Sequence, residues 1–371
     1  MAARSSSTSQ TKKGKRRWVD SASLLTFPGM AMVVLGECAV RVSPSWFPWL
    51  APFGLTYGLG WTVLAVGVMW RVVSFRWIQA AFPLIVLVAT WPSFSLVFSM
   101  GLNASPHAEL DASSFGVMTF NVRRLDEYNW LEGDQTRTDL ADWLSGREEE
   151  VWCFQEFPSQ GKSVLREFGM SWRQPNRRLL QWSDGSGPAL ATVFPVKAWS
   201  TWMFPDGAGR GRVLQADVET PAGVVRFFNV HLQSLYFSRE DYAAVEDGPS
   251  REEGLRLLGR VTQASAARAH QAQELRRRME ESPYPVILAG DLNDSPMSYT
   301  CGHLRKGRVR DTFGAGDIGL GATHIGTVPG LRIDGILADT TLTVHVHQTH
   351  NVTLSDHRPV TAVLGSGVQG D

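Results

Sequence analysis

The chain predicts a mixed α/β domain of two packed sheets flanked by helices, preceded by about three transmembrane helices. Three observations predict this. Residues 23–100 are almost free of charge, with only Glu37, Arg41, Arg71 and Arg76 interrupting the apolar run. From about Ser113 onward the sequence breaks into short β-rich stretches separated by turn residues, with few helical patterns between them. Polar residues also recur at or near the ends of those stretches, most informatively in SDHRPV at 355–360.

At 371 residues there is room for two or more domains, or for one large domain with an appendage. The net charge is zero, so global charge gives no reason to expect a polyanion partner. Cys38, Cys153 and Cys301 form no CxxC pair, which excludes a disulfide framework and a thiolate zinc site.

A spanning helix needs about 20 mainly apolar residues. Residues 46–70 and 77–100 meet that length, whereas 24–40 is shorter and carries Pro28 and Glu37. Trp46, Trp49, Trp70, Trp77 and Trp91 fall near the proposed ends, as an interfacial aromatic belt requires. Lys12, Lys13, Lys15, Arg16 and Arg17 precede the first segment, and Arg71 and Arg76 flank the second turn. Both positive loops belong in the cytoplasm, which puts everything after Met100 on the other side. The competing reading, a cleaved signal peptide, lacks a clear small-x-small site after the first segment. Glu37 reads as an interfacial carboxylate beside Arg41. The expected organisation is a disordered basic N-terminus at 1–20, a transmembrane region at 21–101, a linker at 102–114, a globular domain at 115–366 and a tail at 367–371.

Strands are expected at 115–121, 151–154, 190–196, 213–218, 224–232, 285–289, 333–337, 342–347 and 360–364. Helices are expected at 136–144 and 251–281. The longer one places Leu257, Val261, Ala264, Ala272, Leu275 and Met279 on roughly one face. The run PDGAGRGR at 205–212 is glycine-rich but opens no helix, so it reads as a loop and not a dinucleotide fingerprint.

Glu156 follows the apolar run 151–154, and hard divalent cations want carboxylate oxygens. Asn121 stands similarly after 115–120, where an amide can ligate through oxygen or orient a carboxylate. In GDLND, Asp291 and Asn293 are two apart and project to one side of an extended segment. The carboxylate could take a proton from water while the amide holds it in line. Asp294 is expected to cap a helix starting near Pro296. His231 ends one strand and His357 follows Asp356. Imidazoles can donate a proton near neutral pH or bind a phosphate oxygen when charged. Asp334, a lone acid in an apolar strand, is a natural partner for His357, because a buried unpaired carboxylate is costly. His345 and His347 read as structural.

The ordered runs MTFNVR (118–123), CFQEF (153–157), NVHL (229–232), GDLND (290–294), RIDGIL (332–337) and SDH (355–357) resemble the endonuclease/exonuclease/phosphatase superfamily, the DNase-I-like fold. The resemblance covers about 115–364. It implies a four-layer α/β sandwich and a phosphoester hydrolase dependent on Mg²⁺ or Mn²⁺. By it, Glu156 would be the principal metal ligand with Asn121 beside it, and Asp356 would contribute to the metal site. Asp291 would activate water, Asn293 would orient it, His231 and His357 would flank the phosphate, and Asp334 would buttress His357. VSPSWF (42–47), NDSPMSY (293–299) and GLGATH (319–324) narrow the resemblance to a bacterial membrane-anchored branch.

The expected activity is a membrane-anchored phosphodiesterase acting on nucleic acid or phospholipid headgroups from the non-cytoplasmic side. The N-terminal helices would hold the bilayer, and no obligate protein partner is implied. A phosphomonoesterase with the same site and a non-catalytic scaffold binding anionic ligands are the alternatives. Arg177, Arg178, Arg210 and Arg212 are candidate contacts to a polyanion. Substrate recognition is expected in loops 173–187, 206–212 and 237–250.

Overall fold

The computed structural model describes residues 22–101, 110–127, 135–170, 177–205, 208–236, 240–241, 244, 247–316, 318–326 and 330–367. The basic N-terminus lies outside the described residues, as do most of the linker and tail and parts of the three recognition loops.

In chain order the described strands are β1 (Phe115–Asn121), β2 (Val151–Pro158), β3 (Arg178–Gln181), β4 (Ser186–Thr192), β5 (Val196–Met203) and β6 (Arg212–Thr220). They continue with β7 (Gly223–His231), β8 (Val286–Asp291), β9 (Val309–Asp311), β10 (Asp334–Asp339), β11 (Leu342–Thr349) and β12 (Val360–Ser366). They form two six-stranded sheets, ordered β11-β12-β1-β2-β4-β3 and β5-β6-β7-β8-β10-β9. Each sheet is antiparallel except for one parallel pair, β1 with β2 and β7 with β8. A parallel pair needs a crossover, and helices supply both. Thr136–Ser145 crosses between β1 and β2, and Arg251–Glu280 between β7 and β8.

Side-chain alternation explains the layers. In β1, Phe115 and Val117 face the opposite sheet, while Met118 and Phe120 face Leu140 and Leu144 of the first crossover helix. In β7 and β8, Phe227, Ile287 and Ala289 enter the inter-sheet core, while Phe228, Val230 and Leu288 pack on Ala272, Leu275 and Met279 of the long helix. Helix, sheet, sheet and helix therefore stack in four layers. The long helix starts with a capping box: Glu253 N–H donates to Ser250 Oγ at 3.3 Å, and Ser250 N–H donates to Glu253 Oε2 at 2.9 Å. Val261 is only half-buried on it, whereas Leu257, Ala264, Ala272, Leu275 and Met279 are buried as expected.

Several expectations need correction. The segment 190–196 is not one strand but the end of β4 and the start of β5, because the turn at Val193–Pro195 separates them. The short edge strands β3 and β9 and the helix Gly161–Glu167 were not foreseen. Asp294 does not cap a helix. It is buried against Arg268 at 3.0 Å and Thr300 at 2.8 Å, and Ser298 caps the next helix, Tyr299–Leu304. Arg177 is not a surface cation. It lies over the Trp152 ring at 3.8 Å and donates to the Glu149 carbonyl at 2.9 Å.

The N-terminal third folds as shorter helices than the hydropathy suggests. Among the described residues no single helix is long and apolar enough to cross a membrane. The 46–70 segment breaks at Thr56 into a bent pair, Pro48–Leu55 and Tyr57–Val73, at 62°. The 77–100 segment is helical as Trp77–Ala89, then breaks at Thr90. There the Thr90 hydroxyl donates back to the Val86 carbonyl at 2.7 Å, ahead of Trp91 and Pro92. Ser23–Ala39 packs closely on Tyr57–Val73, and a Cβ on Gly29 would sit 2.6 Å from Leu64 N, so glycine sets the approach. Glu37 is paired with Arg41 and accepts from the Tyr57 hydroxyl at 2.8 Å.

Candidate active site

The strand register assembles the site. His231 of β7 pairs with Asp291 of β8, and Asp291 pairs with Asp334 of β10. Arg212 of β6 pairs with His231, so four neighbouring strands present one row of polar groups at the same end. All four share the parity of the inter-sheet core residues of their own strands, so they line the mouth of the cleft between the sheets. Asn121 ends β1 on the opposing sheet in the same sense.

Glu156 breaks the rule. By parity it should follow Phe154 toward the helix layer. The β2–β4 register shifts between Phe154 and Phe157, and Glu156 takes φ +51°. The bulge re-aims its carboxylate toward Asn121, whose Nδ2 is 3.4 Å from Glu156 Oε1. Asn293 also has a left-handed backbone, φ +52°. Just before it, Gly290 has φ +154°, and a Cβ there would meet the Val230 carbonyl at 2.0 Å. Any side chain at this position would push β7 from β8 and split His231 from Asp291.

Asp291 is the hub. It is buried, and its Oδ1 accepts from Asn293 N–H at 2.8 Å while its Oδ2 accepts from Asn121 Nδ2 at 3.0 Å. Two imidazole nitrogens face the same oxygen, His231 Nε2 at 3.7 Å and His357 Nε2 at 3.9 Å. His231 Nε2 is also 3.8 Å from Glu156 Oε1. His357 Nδ1 lies 2.8 Å from Asp334 Oδ2, which fixes the ring and turns Nε2 outward. Asn293 Nδ2 donates to the Leu232 carbonyl at 3.1 Å. Asp356 lies 3.3 Å from Arg123 Nε, and its neighbour Ser355 donates to the Asn121 carbonyl at 2.8 Å, which pins this loop to β1. The eight expected residues thus gather at one end of the two sheets.

The electrostatics follow from this crowding. Burial, and then the Asp334 charge, push the Asp291 carboxyl above its ordinary range. Burial works against protonation of His357, but Asp334 and Asp291 outweigh it and hold its pKa well above the ordinary imidazole value.

Several participants were missed. His324 stacks edge-on to His357 with centroids 5.3 Å apart, and burial, then the His357 charge, lower its pKa. It lies in GLGATH, a run read only for architecture. Thr323 Oγ1 accepts from both Ile333 N–H at 3.0 Å and Asp334 N–H at 3.1 Å, setting the start of β10. Beneath the site, Gln155 Nε2 donates to Asn229 Oδ1 at 2.8 Å, and Asn229 Nδ2 donates to the Phe154 and Ala189 carbonyls at 2.9 and 2.8 Å. This fully buried network ties the two sheets together under the residues each contributes. The Gln before Glu156 and the Asn two before His231 were the available signals.

The donor set suits a hard divalent cation. Among the described residues, Asp334 Oδ1 is buried without a hydrogen-bond partner, and four carboxylates (Glu156, Asp291, Asp334 and Asp356) gather at the site. Two placements arise. Asp291, Asp334 and His357 offer donor atoms within 4.8 Å of one another, but that group is buried and already internally bonded. Glu156 and Asp356 are 30% and 19% exposed and border the opening beside Asn121. A cation that keeps several waters fits the open side better. In this arrangement the Asn121 amide nitrogen is turned to the carboxylates, and its Oδ1 accepts from Arg123 N–H at 3.0 Å.

The sequence matches the Endonuclease/Exonuclease/phosphatase family over residues 118–357. The chain belongs to that family. It is a phosphoester hydrolase on the family's fold, with the two mixed sheets and surrounding helices of a DNase-I-like sandwich. Solved structures agree on the fold. A Bacteroides thetaiotaomicron protein of this family is 17% identical with TM-score 0.51, covering 68% of this chain and 97% of its own. The B. thetaiotaomicron mannosyl-6-phosphatase Bt3783 is 16% identical with TM-score 0.51, covering 67% and 99%. D. rerio TDP2 complexed with a single-strand DNA product is 17% identical with TM-score 0.50, covering 68% and 100%. No curated protein matches the chain in sequence.

Proposed function

We propose that this family member is a membrane-anchored, divalent-metal-dependent phosphodiesterase whose catalytic domain faces away from the cytoplasm. The observation that carries the catalytic reading is the convergence of His231 Nε2 and His357 Nε2 on one oxygen of Asp291, at 3.7 and 3.9 Å. Those gaps are too long for direct hydrogen bonds and suit groups bridged by water or a phosphoryl oxygen.

Glu156 and Asp356 would hold Mg²⁺ or Mn²⁺, with Asn121 orienting Glu156 and Asp291 through its amide nitrogen. When bound, the cation would supply charge neutralisation for the reacting phosphate. Asp291 is oriented by two donors and accepts the proton of the attacking water, a task its raised pKa favours. Asn293 is fixed through its Nδ2 and keeps its amide oxygen for that water. His231 and His357 donate to the equatorial oxygens, where charge develops during in-line displacement. Asp334 keeps the His357 ring aligned throughout.

The helical region supports anchoring. Its outer faces are apolar and open: Ile78 is 92% exposed, Phe82 63%, Ile85 64% and Val88 67%. Such faces, with the Trp-bordered breaks, are at home in a bilayer. Nucleic acid and phospholipid headgroups are the substrate classes that fit this reading. A phosphomonoesterase is the second reading, favoured by likeness to a mannosyl-6-phosphatase.

The test is a hydrolysis screen of the full chain with Mg²⁺ or Mn²⁺ against plasmid DNA, RNA, phospholipids and a simple monoester. Turnover of a diester supports the proposal. Turnover of the monoester alone replaces it with the second reading, and no turnover of any overturns both. Protease accessibility on intact cells decides the side of the membrane: cleavage of the globular domain from outside supports the assignment, and protection contradicts it.

A further inference from the structure

A cleft of about 700 Å³ opens beside the catalytic centre, between the stretch after β7, the middle of the long helix and the residues ahead of β6. Its floor is the Gln233 peptide, two residues beyond His231. The Gln233 N–H donates to Gln271 at 3.0 Å, and its carbonyl accepts from Arg268 at 2.8 Å. Arg268 also holds Asp294, the neighbour of Asn293, at 3.0 Å. Cleft and catalytic centre therefore share a wall fixed by buried bonds.

The lining is amphiphilic. Ala264 and Ala267 give an apolar side. Arg210 is exposed; its main-chain N–H donates to Gln233 Oε1 at 2.8 Å, and its guanidinium has no acceptor among the described residues. Arg260 donates to the Tyr236 carbonyl at 2.7 Å and to Asp241 at 2.6 Å. Asp241 is buried and also met by Arg256 at 3.0 Å, which fixes the Arg260 side of the cleft.

The rim joins the N-terminal region. His270 Nε2 lies 3.3 Å from Ser45 Oγ. The short segment that carries Ser45 also carries Trp46, Phe47 and Trp49, which are 87%, 52% and 56% exposed. Exposed tryptophans beside apolar helices settle at the headgroup level of a bilayer. A single-strand track would pair a charged groove with stacked aromatic platforms. Here the lining pairs a guanidinium with alanines, and exposed aromatics follow Ser45, which touches the rim at His270.

We propose that this cleft is a phospholipid-binding subsite, in which Arg210 takes the phosphate of a bilayer lipid, Ala264 and Ala267 take its apolar portion, and His270 borders the headgroup. The subsite would direct the enzyme to phosphoesters presented at the membrane surface. It rests on the proposed membrane attachment and deepens the catalytic reading without using any residue of the centre.

The test uses the full chain in detergent and titration calorimetry with two probes, dihexanoylphosphatidylglycerol below its micelle concentration and inorganic phosphate. Hydrolysis of bis(p-nitrophenyl) phosphate with Mg²⁺ is measured in parallel. Arg210→Ala should weaken the lipid about tenfold or more, the scale of losing a charge-assisted phosphate contact, and Arg210→Lys should recover part of it. Lipid affinity unchanged in Arg210→Ala, or no lipid binding to wild type, overturns the proposal. Equal Arg210-dependent affinity for inorganic phosphate shows that the site reads free phosphate and overturns the lipid assignment. Arg210-dependent lipid binding by a wild type that cleaves no ester leaves the subsite standing and overturns the catalytic reading instead.

Discussion

Replacing Asp334 with Asn isolates one charge while keeping its shape. Asp334 and His357 are both buried, and their bond is 2.8 Å. A hydrogen bond to a charged group contributes about 1.5–3 kcal/mol. If that energy holds the imidazole ready for the transition state, each 1.4 kcal/mol is about tenfold in rate, so kcat should fall roughly 10- to 150-fold. KM should move little, because Asp334 does not reach the substrate. Asn fills the same volume, so no cavity forms, but the lost charge-assisted bond should also lower unfolding free energy by about 1.5–3 kcal/mol. The assay is steady-state hydrolysis of bis(p-nitrophenyl) phosphate at saturating Mg²⁺, with the Mg²⁺ concentration for half activity measured for each variant. On the open-side placement of the cation, Asp334→Asn leaves that concentration unchanged and Glu156→Gln raises it. A variant with kcat within about threefold of wild type would refute the buttressing role. A raised Mg²⁺ requirement in Asp334→Asn would move the cation to the buried Asp291, Asp334 and His357 group.

Two further outcomes bear on the scaffold. Asn229→Ala removes three buried hydrogen bonds that join the sheets. At about 1 kcal/mol per bond, it should lower unfolding free energy by roughly 3 kcal/mol in denaturant titrations, and a loss under about 1 kcal/mol would show that the network is dispensable. His347 is buried beside Thr312, and burial lowers its pKa to about 4. The unfolded chain binds that proton near pH 6.5 and the folded chain does not, so stability should fall as pH drops from about 6.5 toward 4, by about 3 kcal/mol from this residue. His347→Gln should remove that slope in pH-dependent thermal unfolding, and an unchanged slope would place the titration elsewhere.

The catalytic domain was legible because its signals were local. In β1 and β8 the functional residue follows a mostly apolar run, and His231 ends β7, so Asn121, Asp291 and His231 could be placed by counting. Edge strands β3 and β9 have no such run, since one side faces solvent, and they stayed invisible. Glu156 was found for an incomplete reason. Strand parity alone aims it at the helix layer, and only the bulge, which leaves no simple mark in the sequence, turns it into the cleft. His324 was missed because its partner lies 33 positions away in the chain, joined through an isolated bridge between two loops. In the N-terminal third the apolar length was legible but its breaks were not. Hydropathy counts apolar length, but Pro48, Pro52 and Pro92 and the back-bonded Thr90 divide that length into pieces. The Arg177 error has a similar origin, because charge suggested solvent while Trp152 offered a stacking face.

The central claim is that the groups around Asp291 act together to hydrolyse a phosphoester. The most direct measurement compares hydrolysis of bis(p-nitrophenyl) phosphate by the full-length wild type and by Asp291→Ala, with Mg²⁺ present and after chelation. The account predicts turnover only by wild type with Mg²⁺, with loss of at least about a hundredfold in the variant, the lower scale for a general base. Turnover by Asp291→Ala at the wild-type rate, or turnover indifferent to chelation, would contradict it.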